Sequence, residues 1–206
     1  GRIERYLQMC AQDNMLVAQP STPASYFHLL REHTYRRPRR PLIVFTPKQL
    51  LRLKAACSSV EDFTSGTFQP VIGEVDDAVL AAAQDRDVDR VLLCSGRVYY
   101  DLAAHRAQTG DTGTAIVRLE QLYPLETEAI AEALAPFSGA ELVWVQDEPA
   151  NQGMWPHLAL HLPADLTGGV LPTLVSRPEA AAPAVGTAGV HRAQQEEILR
   201  RAFARD

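Results

Sequence analysis

Cysteine is scarce, and the three present, Cys10, Cys57 and Cys94, lie far apart. Their odd number and the lack of any CxxC pair argue against a disulfide framework and a zinc cage. Long apolar runs are missing too, so no membrane-spanning helix and no membrane partner is expected. No leader pattern opens the chain, and a reducing, cytoplasmic setting fits. Phosphate-binding loops are absent, since neither GxxxxGK[ST] nor GxGxxG occurs. Acidic residues vanish from one stretch. None lies between Glu32 and Glu61, a window that holds Arg36, Arg37, Arg39, Arg40, Lys48, Arg52 and Lys54, although the whole chain carries a net charge of −5. That window has no RNP-like or zinc-finger pattern and only Tyr35 and Phe45 to stack on bases, so nucleic acid is not expected as a partner. A solvated loop, a phosphate-bearing effector site and an interdomain contact remain open.

What is present is a globular composition, 46% hydrophobic and 22% charged over 206 residues. A chain of this size buries about 70% of its unfolded surface and needs no staple. The spacing of Ile3, Tyr6, Leu7 and Cys10 predicts a helix over 2–12, and residues 15–19 read as a strand. Ser21 or Thr22 caps a helix with Pro23 in its first turn, running to about Tyr35 with Phe27 and Leu30 on one face. Pro38 and Pro41 break it. Leu42 to Phe45 is a continuous β-prone run, as in a strand buried on both faces. Residues 55–75 mix small polar residues with single hydrophobes and read as an ordered linker across a domain boundary. Strands follow at 90–94, 115–119, 141–145 and 170–175, with helices at 97–108, about 126–135, 151–162 and 191–203, and a Pro/Ala/Gly-rich excursion at 178–189. Strands alternating with helices predict an α/β fold with parallel sheets.

Ligands of open parallel sheets sit beyond the strand carboxyl ends. Those ends are Ser95-Gly96, Glu120-Gln121 and the polar stretch from Gln146 to Gly153. Asp147 and Glu148 form a candidate carboxylate pair; the competing reading is an acidic strand end that caps amides or meets an arginine. Ser95 with a histidine is a candidate nucleophile, but there is no GxSxG elbow, and Ser-Gly after a strand is a common βα turn. The six histidines show no HExxH spacing. His157 and His161, four apart, are a candidate metal pair without an evident third ligand. From the residues alone, this is an α/β domain without a catalytic set of its own.

Three segments carry a family signature: GRIERYLQMCAQDNMLVAQPSTPASYFHLLR, RRPLIVFTPKQLLR, and CSGRVYYDL with AIVRLEQLYPL and WVQDEPANQGMWP. Together with the final HRAQQEEIL helix they resemble the carboxy-terminal end of the thiamine-diphosphate-dependent E1 component of 2-oxoglutarate dehydrogenase, especially the actinobacterial multifunctional type. The resemblance implies a transketolase-like architecture. Residues 1–55 would be the last part of the pyrimidine-binding domain and residues 56–206 the transketolase-like C-terminal domain. Gly1 in what reads as the middle of an element fits a piece of something longer. In the parent enzyme, thiamine diphosphate and Mg2+ would serve oxidative decarboxylation of 2-oxoglutarate and succinyl transfer to lipoamide, in the tricarboxylic acid cycle. The partners implied are a second copy in a homodimer, the rest of the E1 chain and a lipoyl-bearing E2 component. The motifs for diphosphate and magnesium, a GDG with a distal Asn, are absent here, so no catalytic or cofactor-binding residue is assigned, and the 206 residues alone are expected to be inactive. A stand-alone, non-catalytic regulatory α/β module is the alternative. The family further implies an acyl-CoA effector surface at positions corresponding to Leu16, Glu32, Thr67, Pro70, Gln121, Glu128 and Ala129. Gln121 matches it. Glu32 and Glu128 put negative charge where relatives carry basic residues, and the Arg36–Arg40 cluster is the compensating feature nearby.

Overall fold

A computed structural model describes residues 1–205. Its larger sheet has the order β3-β5-β4-β7-β8, with β3 at Val71–Ile72, β4 at Arg90–Cys94, β5 at Thr114–Leu119, β7 at Glu141–Pro149 and β8 at Thr173–Arg177. Strands β4, β5, β7 and β8 run parallel, and β3 is antiparallel to β5. The sequence explains why β4 sits centrally: Val91, Leu92, Leu93 and Cys94 are all buried, as a strand covered on both faces requires. Successive side chains point to opposite faces. Val91, Leu93, Ala115, Val117 and Trp144 therefore join one apolar cluster, and Leu92, Cys94, Ile116, Val143 and Val145 join another. Helices α5 (Val98–Thr109) and α8 (Ala188–Ala202) close the second face through Leu102, Ile198 and Ala202.

A smaller sheet has the order β2-β1-β6, with β1 at Leu16–Ala18, β2 at Leu42–Val44 and β6 at Gln121–Tyr123. β1 pairs parallel with β2 and antiparallel with β6. Only Glu120 separates β5 from β6, so the chain steps from one sheet into the other across a single residue. The first apolar cluster spans both sheets, from Ile3 and Leu7 of α1 (Ile3–Gln8) through Val17 and Leu122 to Val91 and Trp144. Helix α2 (Pro23–Tyr35) covers the other face of the small sheet with Leu29, beside Leu16 and Ala18. Thr22 caps it by accepting the Ser25 amide.

Several expectations need correction. The run from Leu42 meets apolar neighbours on both faces but is only half-buried, because β2 is the outer strand of the small sheet. Phe27 and Leu30 are 41% and 46% exposed, while α2 buries Ala24, Ser25, His28 and Leu29. Phe27 instead meets Phe63 edge to face at 5.7 Å. The stretch read as linker holds α3 (Val60–Thr64), with a capping box between Ser59 and Asp62, and then β3. Helix α4 (Asp77–Gln84), capped by Asp76, and strand β6 were not anticipated. The helices near 126–135 and 151–162 are shorter, α6 at Thr127–Leu134 and α7 at Trp155–His161.

Candidate functional site

The site is built where the two sheets meet at their carboxyl ends. Glu120 lies there fully buried. Its Oε2 accepts the Ser21 amide at 2.7 Å and the Ser25 hydroxyl at 2.6 Å, and its carbonyl accepts the Gln19 amide at 2.8 Å. Ser21 in turn accepts from Arg118 Nη1 at 3.1 Å through Oγ, and from the Tyr100 hydroxyl at 2.8 Å through its carbonyl. The Pro20-Ser21-Thr22-Pro23 turn thus carries groups that the larger sheet recognises directly. Burial raises the Glu120 pKa, opposed by the hydrogen bonds from Ser21 and Ser25 and by the Arg118 charge. Arg118 also lies over the Tyr99 ring, 4.0 Å from its centroid.

Next to this joint is a cleft of about 240 Å³ lined by Ile3, Gln19, Phe45, Ser95, Arg97 and Glu148 among others. Ser95 Oγ donates to Gln19 Oε1 at 2.9 Å. Gly96 has φ +65°, and a Cβ there would lie 2.6 Å from the Gln19 side chain, so the close approach of β1 and the β4–α5 turn depends on glycine. Arg97 holds Asp147 through two bonds of 3.1 and 3.2 Å and Asp101 at 2.8 Å. Asp147 and Glu148 line the same cleft, but Asp147 is committed to an arginine while Glu148 is not. Burial first, and then the Asp147 charge, pushes Glu148 up to about 7. None of the described residues that line the cleft is a histidine, so the Ser95–histidine pair is not assembled there.

The loop behind Glu148 is organised by buried Gln146, a residue without a motif to flag it. Its Oε1 accepts from Trp144 Nε1 at 2.9 Å and from the Trp155 amide at 3.0 Å. Its Nε2 donates to the carbonyls of Pro149 and Gln152 at 3.0 and 2.8 Å. The Gln152 amide group and Asn151 bind the carbonyl of Ala180, which ties the 178–187 excursion to the same loop.

The other candidates fall elsewhere. His157 and His161 stack at 4.1 Å between centroids, and His161 Nδ1 donates to the His157 carbonyl at 2.8 Å. Burial, followed by the His161 charge, lowers His157 to about 4. Among the described residues no three His, Cys, Asp or Glu side chains converge on a metal position, so these residues do not fit a magnesium ion. Gln121 is buried on β6, and its Nε2 donates to the Pro124 carbonyl at 2.8 Å and to Glu126 Oε1 at 3.0 Å. Glu32 and Thr67 line a 370 Å³ cavity with His28, Arg31, Tyr35 and Arg36, a cavity that Gln121 does not border. Glu32 is paired there with Arg36 at 2.6 Å. No helix among the described residues is long and apolar enough to cross a membrane.

Comparison with known proteins gives this arrangement a family. The family model for the transketolase pyrimidine-binding domain matches residues 1–54, and that for the 2-oxoglutarate dehydrogenase C-terminal region matches residues 57–203. The 2-oxoglutarate dehydrogenase E1 component of Haemophilus influenzae is 44% identical over 200 residues, covering 97% of this chain and 21% of that protein. The E1/E2 component of Corynebacterium glutamicum is 48% identical over 205 residues, covering 98% and 16%. The E1 component of Cupriavidus necator is 45% identical over 206 residues, covering 100% and 21%. This chain therefore spans about a fifth of the length of these relatives or less, and it belongs to the 2-oxoglutarate dehydrogenase C-terminal family.

Proposed function

We propose that this chain serves as the carboxy-terminal section of a 2-oxoglutarate dehydrogenase E1 component, acting in thiamine-diphosphate-dependent oxidative decarboxylation with succinyl transfer to lipoamide. The observation that carries this reading is an identity of 44–48% extending over nearly the whole chain. Thiamine diphosphate, held with Mg2+ elsewhere in the parent enzyme, supplies the electron sink for decarboxylation. The residues of this chain supply placement. Residues 1–55 act as the end of the pyrimidine-binding domain and residues 56–206 as the C-terminal domain. The Glu120–Ser21 joint sets the angle between them. Gln146 and Arg97 fix the loop that borders the cleft. The parent works as a cytoplasmic homodimer with a lipoyl-bearing E2, and an acyl-CoA effector would meet Gln121 only if its amide released Pro124 and Glu126.

The test compares the purified 206-residue chain with a longer enzyme that contains it, each given thiamine diphosphate, magnesium and 2-oxoglutarate. Carbon dioxide release from the longer enzyme and none from the chain is the expected result. Turnover by the chain alone would show that the working groups lie within it.

A further inference from the structure

On the side of the Pro20–Pro23 turn away from Glu120 lies a second hollow, an apolar groove of about 350 Å³. Its walls are Pro20, Pro23 and Tyr26 on one side and Pro47, Leu50 and Leu51 on the other. The second wall is a pair of short 3₁₀ turns, Lys48–Arg52 and Lys54–Ala56. Leu51 stands 83% exposed at the edge, and Tyr26 is also at the surface. Thr46 and Pro47 line both this groove and the cleft at the strand ends, so the two hollows share a wall.

The charge around the groove has one sign. Arg52 and Lys54 line it, and Lys48 lies on the same turn as Leu51. None of these three makes a salt bridge among the described residues. The nearest acidic residues in sequence are Glu32 and Glu61, and Glu32 is already held by Arg36. A trough with apolar walls and unpaired cations complements a segment that presents apolar anchors beside carboxylates. Its volume falls within the range of about 300–1,000 Å³ in which concave sites hold a guest.

We propose that this groove is a docking site for a short acidic segment of a partner protein, with its apolar side chains between Tyr26 and Leu50–Leu51 and its carboxylates on Lys48, Arg52 and Lys54. A second copy applied groove to groove brings like charges together, which opposes that pairing. A bilayer is flat and meets the rim without filling the trough. The docked segment lies one wall away from the strand-end cleft. The proposal goes beyond the family reading but requires the groove to stay open in a longer enzyme that contains this chain; peptide binding to the 206-residue chain and none to the longer enzyme would overturn it.

The test uses the full chain and a fluorescent peptide of leucine and glutamate whose leucines recur at i, i+3, i+4 and i+7. Controls are a peptide of the same composition with the leucines scattered, a lysine-for-glutamate version, laurate, and vesicles of mixed phosphatidylcholine and phosphatidylglycerol. Saturable binding of the acidic amphipathic peptide, weakened by salt, is expected. Leu51→Asp, and separately Arg52→Glu with Lys54→Glu, should each weaken it about tenfold or more, since the first puts a carboxylate where an apolar anchor docks and the second turns attraction into repulsion. Leu160→Asp, at a residue 81% exposed on α7, should leave it unchanged. All these positions are at the surface, and circular dichroism of each variant is the check that it stays folded. Absence of saturable binding would overturn the proposal. So would equal binding of the scattered or lysine peptide, equal effects of Leu51→Asp and Leu160→Asp, or tighter binding of laurate or vesicles.

Discussion

At Glu148, burial and the adjacent Asp147 push the carboxyl pKa up to about 7, well above the usual carboxylate range. In this case the folded state binds the proton more tightly than the unfolded chain. The protein therefore loses stability as pH rises from about 4.5 to 7, because ionising a buried carboxyl is costly. Part of Glu148 still faces the cleft, and solvent there limits the cost to on the order of 1–2 kcal/mol. Glu148→Gln should flatten the fall in unfolding free energy between pH 5 and 8, as read from urea titrations at several pH values. Glu120 differs because its carboxylate has donors. Glu120→Ala strands the Ser21 amide and the Ser25 hydroxyl in a dry site, and a loss of about 2–4 kcal/mol is expected in the same titrations. Gly96→Ala joins a strained positive φ to a clash with Gln19 and should cost about 1–3 kcal/mol.

Among the elements, the connection from β3 to α4 is fastened to the large sheet and α5 at Glu74. Its carboxylate accepts from Arg106 on α5, at 2.9 Å through Nη2, and from the Ile116 amide of β5 at 2.7 Å. It also takes the amides of Val75 and Asp76, both at 2.8 Å. Arg106→Leu leaves that buried carboxylate without its cation, and a thermal-unfolding loss equivalent to about 3–5 kcal/mol is expected. The parallel strands of the large sheet were legible in the sequence because runs such as Val91–Cys94 are apolar without interruption, whereas β3, two residues long, was read as linker. Strand β6 was not. Its three residues carry no pattern of their own, and its partner β1 lies about a hundred positions earlier, so only tertiary pairing defines it. The capping box of α3 was visible as Ser59 and Asp62 but was masked by the small polar residues around it. Around the cleft, Ser95 and Glu120 directly follow β4 and β5, whereas Gln146, Asp147 and Glu148, read as lying beyond a strand, belong to β7, which continues to Pro149. The role of Gln146 was hidden, since a buried glutamine whose amide meets Trp144, Pro149, Gln152 and Trp155 looks in sequence like any surface glutamine. The face of α2 was misjudged for a related reason: Ser25 and His28 are polar yet buried, because Glu120 and the Asp62 carbonyl give them partners.

For the molecule as a whole, charge and connectivity are unevenly distributed. Seven cations fall in the window without acids, on a chain whose net charge is −5, and the helices at its two ends, α2 and α3, meet through Phe27 and Phe63. Such segregation favours association with an acidic surface at low ionic strength and loses its effect within a screening length of about 8–10 Å in salt. The step from β5 to β6 has a different outcome. The small sheet borrows its third member from residues 121–123, so it is woven from both sides of the boundary near residue 55. Cutting the polypeptide between residues 55 and 56 yields one piece with an orphaned strand pair and another with a spare strand. Expressed separately, the first piece should be soluble only when the second is supplied. Mixing the two should then restore a joined, non-covalent whole, as size-exclusion chromatography would register, much as a torn ticket is recognised by its matching stub.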